Sequence, residues 1–180
     1  MSSTAEQIAP QPEKPSLELI SEIEQFLYRE ARYQDARQYR EWQKMLTRDI
    51  HYWLPALDQR YRKNEQQPNP AHIAHYNDRY EDIDTRIRRT ETGTCWSEDP
   101  PTRCAHLVNN VEVVLTDHPD EFIVHSLITV HRNMNEDEEH TLFGRREDLL
   151  RREAGELKLA KRRIILAQNI FLSKSLNVYL

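Results

Sequence analysis

Cysteine is scarce in this sequence: Cys95 and Cys104 are the two present, too few for a disulfide framework. Glycine is nearly as scarce, with Gly93, Gly144 and Gly155 alone in 180 residues, which excludes a glycine-rich loop that cradles phosphate. Neither a G-x-S-x-G nor an H-E-x-x-H pattern occurs, so two common hydrolytic signatures are missing. Long apolar runs are absent as well. No stretch approaches the roughly 18 consecutive apolar residues of a membrane span, and the opening "MSSTAEQIAPQPEKPS" lacks the apolar core of a signal peptide. A cytoplasmic protein with no membrane partner is expected, and both thiols should be reduced there. A basic excess is also lacking, because 25 Lys and Arg stand against 30 Asp and Glu, a formal charge of −5. General nucleic-acid binding is disfavoured on that ground.

What is present begins with Cys104-x-His106, half of the two-cysteine, two-histidine set that holds a Rieske cluster. The other half does not appear. No cysteine follows Cys104, and Cys95 is followed by Trp96 and Ser97. A zinc site from Cys95, Cys104 and His106 has none of the usual structural-zinc spacings. Cys104 therefore reads as a small buried apolar residue on a strand, and no metal or cofactor ligand is expected on this chain.

The length suits one domain. Residues 1–15 carry three prolines and few apolar groups and read as a flexible tail, so the folded domain is expected over 16–180. Leu19, Ile20, Ile23, Phe26 and Leu27 recur every three or four positions, the apolar face of a helix, with Ser16 as its N-cap. Asp35 and Gln38 have the spacing of a capping box, so a second helix with Tyr39, Trp42 and Leu46 on one face should run to about Met45. "DIHYWLP" over 49–55 reads as a short strand stopped by proline. The polar, proline-containing stretch 56–76 has no sustained period; a loop of that length usually contacts something. A third helix is expected from Asn77 or Asp78, with Tyr80, Ile83 and Ile87 inward and Gly93 ending it. Beyond it the period changes to two. "RCAHLVNNVEVVLT", "EFIVHSLITVHR", "HTLFGRREDLLRR" and "ELKLAKRRIILA" are four strands joined by turn residues, hence antiparallel neighbours. Helices followed by successive strands imply an α+β fold, N-terminal helices packed on one face of a curved, mainly antiparallel sheet.

Three groups of residues are candidates for function. Asp49 and His51 share one side of a strand and could act as an acid–base pair in a pocket, as in an isomerase or dehydratase, although Asp and His at a strand start are more often hydrogen-bonded structure. The histidines give little more: His125 and His131 point the same way but stand too far apart for one metal, and His72 with His75 lacks a third ligand. The last two strands concentrate Arg145, Arg146, Arg151, Arg152, Lys158, Lys161, Arg162 and Arg163 against four acids. Cross-strand ion pairs on a solvated face would account for these residues. A subunit interface is the preferred reading, because arginine forks suit carboxylates across interfaces; Trp96 and His106 join the six arginines as interface candidates. The apolar end, "QNIFLSKSLNVYL", either closes the core or inserts into a partner.

Several of these stretches together, "EIEQFLYREARYQDARQYREW", "DIHYWLP", "TGTCWSEDPPTRCAHLVNNVEV", "GRREDLLRR" and "AKRRIIL", resemble the small (β) subunit of bacterial aromatic-ring-hydroxylating dioxygenases of the biphenyl, naphthalene and phenylpropionate group. The resemblance covers about residues 16–180. Where that family usually reads Arg-x-Arg-His, this chain has "RCAH", so Cys104 is not characteristic. The resemblance implies a cystatin-like (nuclear-transport-factor-2-like) cone and assembly with a large α subunit, commonly an α3β3 hexamer with β–β contacts. It also implies that the α subunit carries the Rieske [2Fe-2S] cluster and mononuclear Fe(II), that a ferredoxin and reductase supply electrons, and that no catalytic residue lies on this chain. A stand-alone cone-fold enzyme using Asp49 and His51, or a simple scaffolding dimer, is the rival expectation.

Overall fold

A computed structural model describes residues 14–56, 74–93, 100–134, 138–168, 176 and 178–180. Cys95, Trp96 and His72 lie outside the described residues, as does 57–73 of the long polar stretch. The order of elements is α1 (Leu17–Asp35), α2 (Tyr39–Lys44), β1 (Leu46–Pro55), β2 (Ala74–Asp78), α3 (Tyr80–Glu91), β3 (Arg103–Leu115), β4 (Glu121–Met134), β5 (Glu138–Glu153) and β6 (Glu156–Leu166).

The strands form one sheet in the order β2-β1-β6-β5-β4-β3. From β3 to β6 every neighbour is antiparallel, as short connections require. β1 runs antiparallel to β2 but parallel to β6, the strand most distant from it in sequence. The β5–β6 hairpin turns through Ala154 and Gly155, both at positive φ (51° and 86°), the left-handed pair that a two-residue type I′ turn needs. The helices cover one face of the sheet. Ile23, Phe26 and Leu27 of α1, Ile83 and Ile87 of α3, Ile50 and Leu54 of β1, and Ile128, Leu150 and Ile164 of the long strands meet there in one core.

Ser16 caps α1 as expected, its hydroxyl accepting from the Leu19 amide at 3.1 Å. Four expectations need correction. Asp35 is the last residue of α1 rather than a cap of α2, whose N-cap is Gln38 without a side-chain hydrogen bond. The strand expected at 49–55 starts earlier, at Leu46. A sixth strand, β2, sits where unbroken loop and the start of the third helix were expected, and it carries His75. The alternation along β3 does not run through unbroken. A bulge with Asn110 at φ 52° switches its parity, so Cys104, His106 and Val108 face inward before it and Val111, Val113 and Leu115 after it.

Candidate functional site

In a cone of helices on a curved sheet, the concave interior is where a ligand pocket would form. Here charge and chain fill it. Glu30 occupies the next inward position of α1 after Ile23, Phe26 and Leu27, and is 1% exposed. Arg146 and Asp148 share the strand parity of buried Leu142 and Leu150 on β5, while Arg162 enters from β6; all three are buried. Arg162 forks twice. Its Nε and Nη2 donate to the two Asp148 oxygens at 2.8 and 2.7 Å, and its Nη1 and Nη2 to the two Glu30 oxygens at 2.8 Å each. Glu30 also accepts from the Trp42 indole at 2.9 Å, and Arg146 Nη1 stands 3.6 Å from it. Arg146 Nε donates to the Ser126 hydroxyl at 3.1 Å.

Two guanidinium groups thus face two carboxylates in a neutral quartet. Burial alone would push the Glu30 carboxyl up, but the charges of Arg162 and Arg146 and the hydrogen bonds from Arg162 and Trp42 hold it below its ordinary range. Burial likewise opposes the Arg162 charge, and Asp148 and Glu30 outweigh it, raising the guanidinium well above its usual value. Arg146, with weaker contacts, is pushed down by burial and by the like charge of Arg162. Both carboxylates are committed to arginine, which leaves neither free to act on a ligand.

The last residues complete the plug. Tyr52 donates to the Leu180 carbonyl at 2.7 Å and accepts from the Leu180 amide at 2.6 Å, and Arg162 Nη1 reaches the same carbonyl at 3.1 Å. Leu180 and Val178 are buried. Of the two roles open to the apolar end, residues 178–180 take that of closing the core. His106 fastens this segment from the side. Its Nδ1 lies 2.6 Å from an Asp35 carboxylate oxygen and its Nε2 2.7 Å from the Tyr179 carbonyl, so the ring bridges the end of α1 and the end of the chain. With its side chain 1% exposed, His106 joins α1, β3 and the end of the chain, and is not a surface residue.

The other candidates are similarly redistributed. Asp49 and His51 lie on the outer side of β1, while Ile50, Tyr52 and Leu54 point into the cone. Asp49 binds Arg151 at 3.0 and 2.9 Å and His51 binds the Asn77 side chain at 2.8 Å, so each member of the proposed acid–base pair is engaged with a different partner. Arg151 also holds Glu121 at 2.8 Å, and Arg152 forks into Glu22 at 2.8 and 2.7 Å. Arg163 lies over the Trp53 ring, 5.7 Å from its centroid. Lys158 donates to the Lys44 carbonyl at 2.9 Å. Arg146 and Arg162 are core residues, so these two of the six arginines expected at a subunit interface are held inside this chain. Arg145 remains exposed on the outer face of the sheet.

That outer face has its own pattern. Leu107, Thr129 and Phe143 align across β3, β4 and β5, and beside them run Asn109, Leu127, Arg145 and Ile165. Leu107 is 51% exposed, Leu127 41% and Phe143 50%, a cluster of large apolar side chains facing outward. Among the described residues no group of three or more His, Cys, Asp and Glu side chains is placed to hold a metal ion.

Against known proteins, residues 29–173 match the model of the family described as "Ring hydroxylating beta subunit". The chain belongs to that family. Among its relatives, the biphenyl 2,3-dioxygenase subunit beta of Rhodococcus jostii (strain RHA1) is 36% identical over 181 aligned positions, covering 98% of this chain and 96% of that protein. The benzene 1,2-dioxygenase subunit beta of Pseudomonas putida is 33% identical, covering 93% and 92%. A solved structure of naphthalene 1,2-dioxygenase with indole in its active site contains a chain that superposes with a TM-score of 0.83 at 21% identity, covering 92% of this chain and 88% of that one. This ring-hydroxylating β subunit therefore has the cone expected of it, with helices on a mostly antiparallel sheet. As a β subunit of a multi-subunit oxygenase it has an α subunit as partner. No helix among its described residues is long and apolar enough to cross a membrane.

Proposed function

We propose that this chain is the structural, non-catalytic β subunit of a Rieske non-haem iron oxygenase, assembled with its α subunit as an α3β3 hexamer in the cytoplasm. The α subunit would carry the [2Fe-2S] cluster and the mononuclear Fe(II). It would add both atoms of dioxygen to an aromatic ring, giving a cis-dihydrodiol, with electrons from NAD(P)H delivered by a reductase and a ferredoxin. The observation that carries this reading is the contrast between the two sides of the sheet. The concave side, where a catalytic cone needs a cavity, is occupied by the Glu30–Arg162–Asp148–Arg146 quartet and Leu180. The convex side leaves Leu107, Leu127 and Phe143 in water, a large apolar cluster of the kind that subunit contacts cover. On this reading the interface centres on those residues and Arg145. Arg151 and Arg152, satisfied within the chain, contribute little to it.

Reconstitution tests the proposal. Ring oxygenation should require the α subunit, ferredoxin and reductase, and this chain alone should turn over nothing. Asp49→Asn and His51→Asn in the assembled enzyme should leave the rate unchanged. Turnover of a small substrate by the isolated chain, abolished by Asp49→Asn, would overturn the reading in favour of a stand-alone isomerase or dehydratase.

A further inference from the structure

On the helical side of the molecule, against the chain end that plugs the interior and apart from the outer sheet face, lies a half-open cavity of about 680 Å³. Its apolar lining comes from Tyr39, Tyr76 and Tyr179 with Ile87, Leu176 and Val178. Tyr76 and Tyr179 are stacked, with ring centroids 5.9 Å apart, and Tyr39 meets Tyr179 edge-on at 6.0 Å. Such a floor accepts a flat apolar group, by stacking or edge contact.

The lining also carries four arginines, Arg37, Arg40, Arg86 and Arg89, and two acids, Glu41 and Glu91. Their pairing decides the sign of the field. Glu91 is held by Arg40 at 2.7 and 2.6 Å, and Glu41 by Lys44 at 2.6 Å. Arg40 also binds Asp84 at 2.6 Å, and Arg86 binds Asp78 at 2.6 Å while lying 4.8 Å from the Tyr76 ring centroid. Both lining carboxylates are neutralised from within. Arg37 and Arg89 make no ion pair among the described residues and are exposed, so the mouth carries an unbalanced positive charge. Arg37 also sits at φ 55°, just after α1, where glycine or asparagine is the inexpensive residue. A long cationic side chain there costs local backbone energy and sets a guanidinium at the cavity mouth.

We propose that this cavity is a docking site for the large subunit, taking an aromatic or similarly flat side chain that stands beside a carboxylate. The inference rests on the assembly proposed above and deepens it. The flat group would rest on the tyrosines, and the carboxylate would be met by the guanidinium forks of Arg37 and Arg89, which make no ion pair among the described residues. The charge argues for an acidic partner segment. A contact of this kind differs from the outer sheet face, where apolar side chains stand beside charges of both signs.

The test uses the full-length chain and its large subunit, with association measured in low and in physiological salt. The double variant Arg37→Glu/Arg89→Glu should keep the melting temperature, since neither side chain makes an ion pair among the described residues. It should associate with the large subunit roughly tenfold more slowly and lose most of the salt dependence. Arg37→Lys/Arg89→Lys should recover much of the rate, and Arg37→Gln/Arg89→Gln should fall between. Unchanged association and salt dependence in the Glu variant would overturn the proposal. So would a change confined to self-association of the isolated chain, which would give the cavity to a second copy, or specific uptake of 3-phenylpropionate with assembly unaffected, which would make it a small-molecule site. Failure of the wild-type chain to bind any large subunit would remove the parent reading, a result distinct from every variant outcome.

Discussion

Glu30 is the residue on which the buried charges depend, because it neutralises Arg162 directly and faces Arg146. Glu30→Gln should leave the interior with one uncompensated positive charge and cost about 3–5 kcal/mol in urea unfolding, since breaking a buried pair exposes the full desolvation of its partner. A pH effect accompanies it. The Glu30 carboxyl is held below its ordinary 4.5 in the folded chain, so its stabilisation is complete above that value and is lost as pH falls from there through the lowered folded value. The acid limb of the stability profile should therefore be shallower in Glu30→Gln than in wild type. These residues carried a signal in the sequence. Glu30 continues the helical spacing of Ile23, Phe26 and Leu27, and Arg146 and Asp148 share the parity of Leu142 and Leu150. Counting the arginines by charge hid the parity, and an acid and a base brought together from distant elements leave no mark of their pairing in a single sequence. Asp35 and His106 pair across 71 residues of sequence and leave no mark for the same reason.

At the scale of elements, local chemistry is strong enough to be tested one position at a time. Ser16→Ala should cost about 1 kcal/mol, because the Leu19 amide loses its acceptor at the start of α1. Gly144→Val should cost about 1–3 kcal/mol: a Cβ at Gly144 would stand 3.2 Å from Ile128 Cγ2 and 3.3 Å from Ile164 Cγ2, and a branched side chain has no room to turn away. Thermal unfolding checks both. The long helices and the four long strands were legible because each repeats its period over many residues and ends in turn chemistry. β2 was not legible, since five residues give too little alternation to stand out beside proline-containing polar sequence. The β3 parity failed at one point, Asn110, where a bulge spends a residue and turns every following side chain over. Asp35 looked like a cap because capping residues also end helices, and α1 runs through the position where α2 was expected to begin.

At the scale of the whole molecule, this β subunit joins a plugged concave side to a convex side that exposes Leu107, Leu127 and Phe143. Phe143→Glu should change the stability of the isolated chain by no more than about 0.5 kcal/mol, being half-exposed, yet should weaken assembly sharply if the convex face is an interface. Size-exclusion chromatography of the variant with and without its partner separates the two effects. The family was legible in the sequence because matching blocks extend along the folded part. The interface was not, because an unpaired surface arginine and one that is buried and paired are the same letter. The most direct measurement is native mass and metal analysis of the complex recovered from the native host with a tagged copy of this chain. An equimolar larger subunit, with about three irons per pair and none on this chain after separation, is the expected result. Recovery of this chain alone, iron-free, as a monomer or dimer would contradict the account.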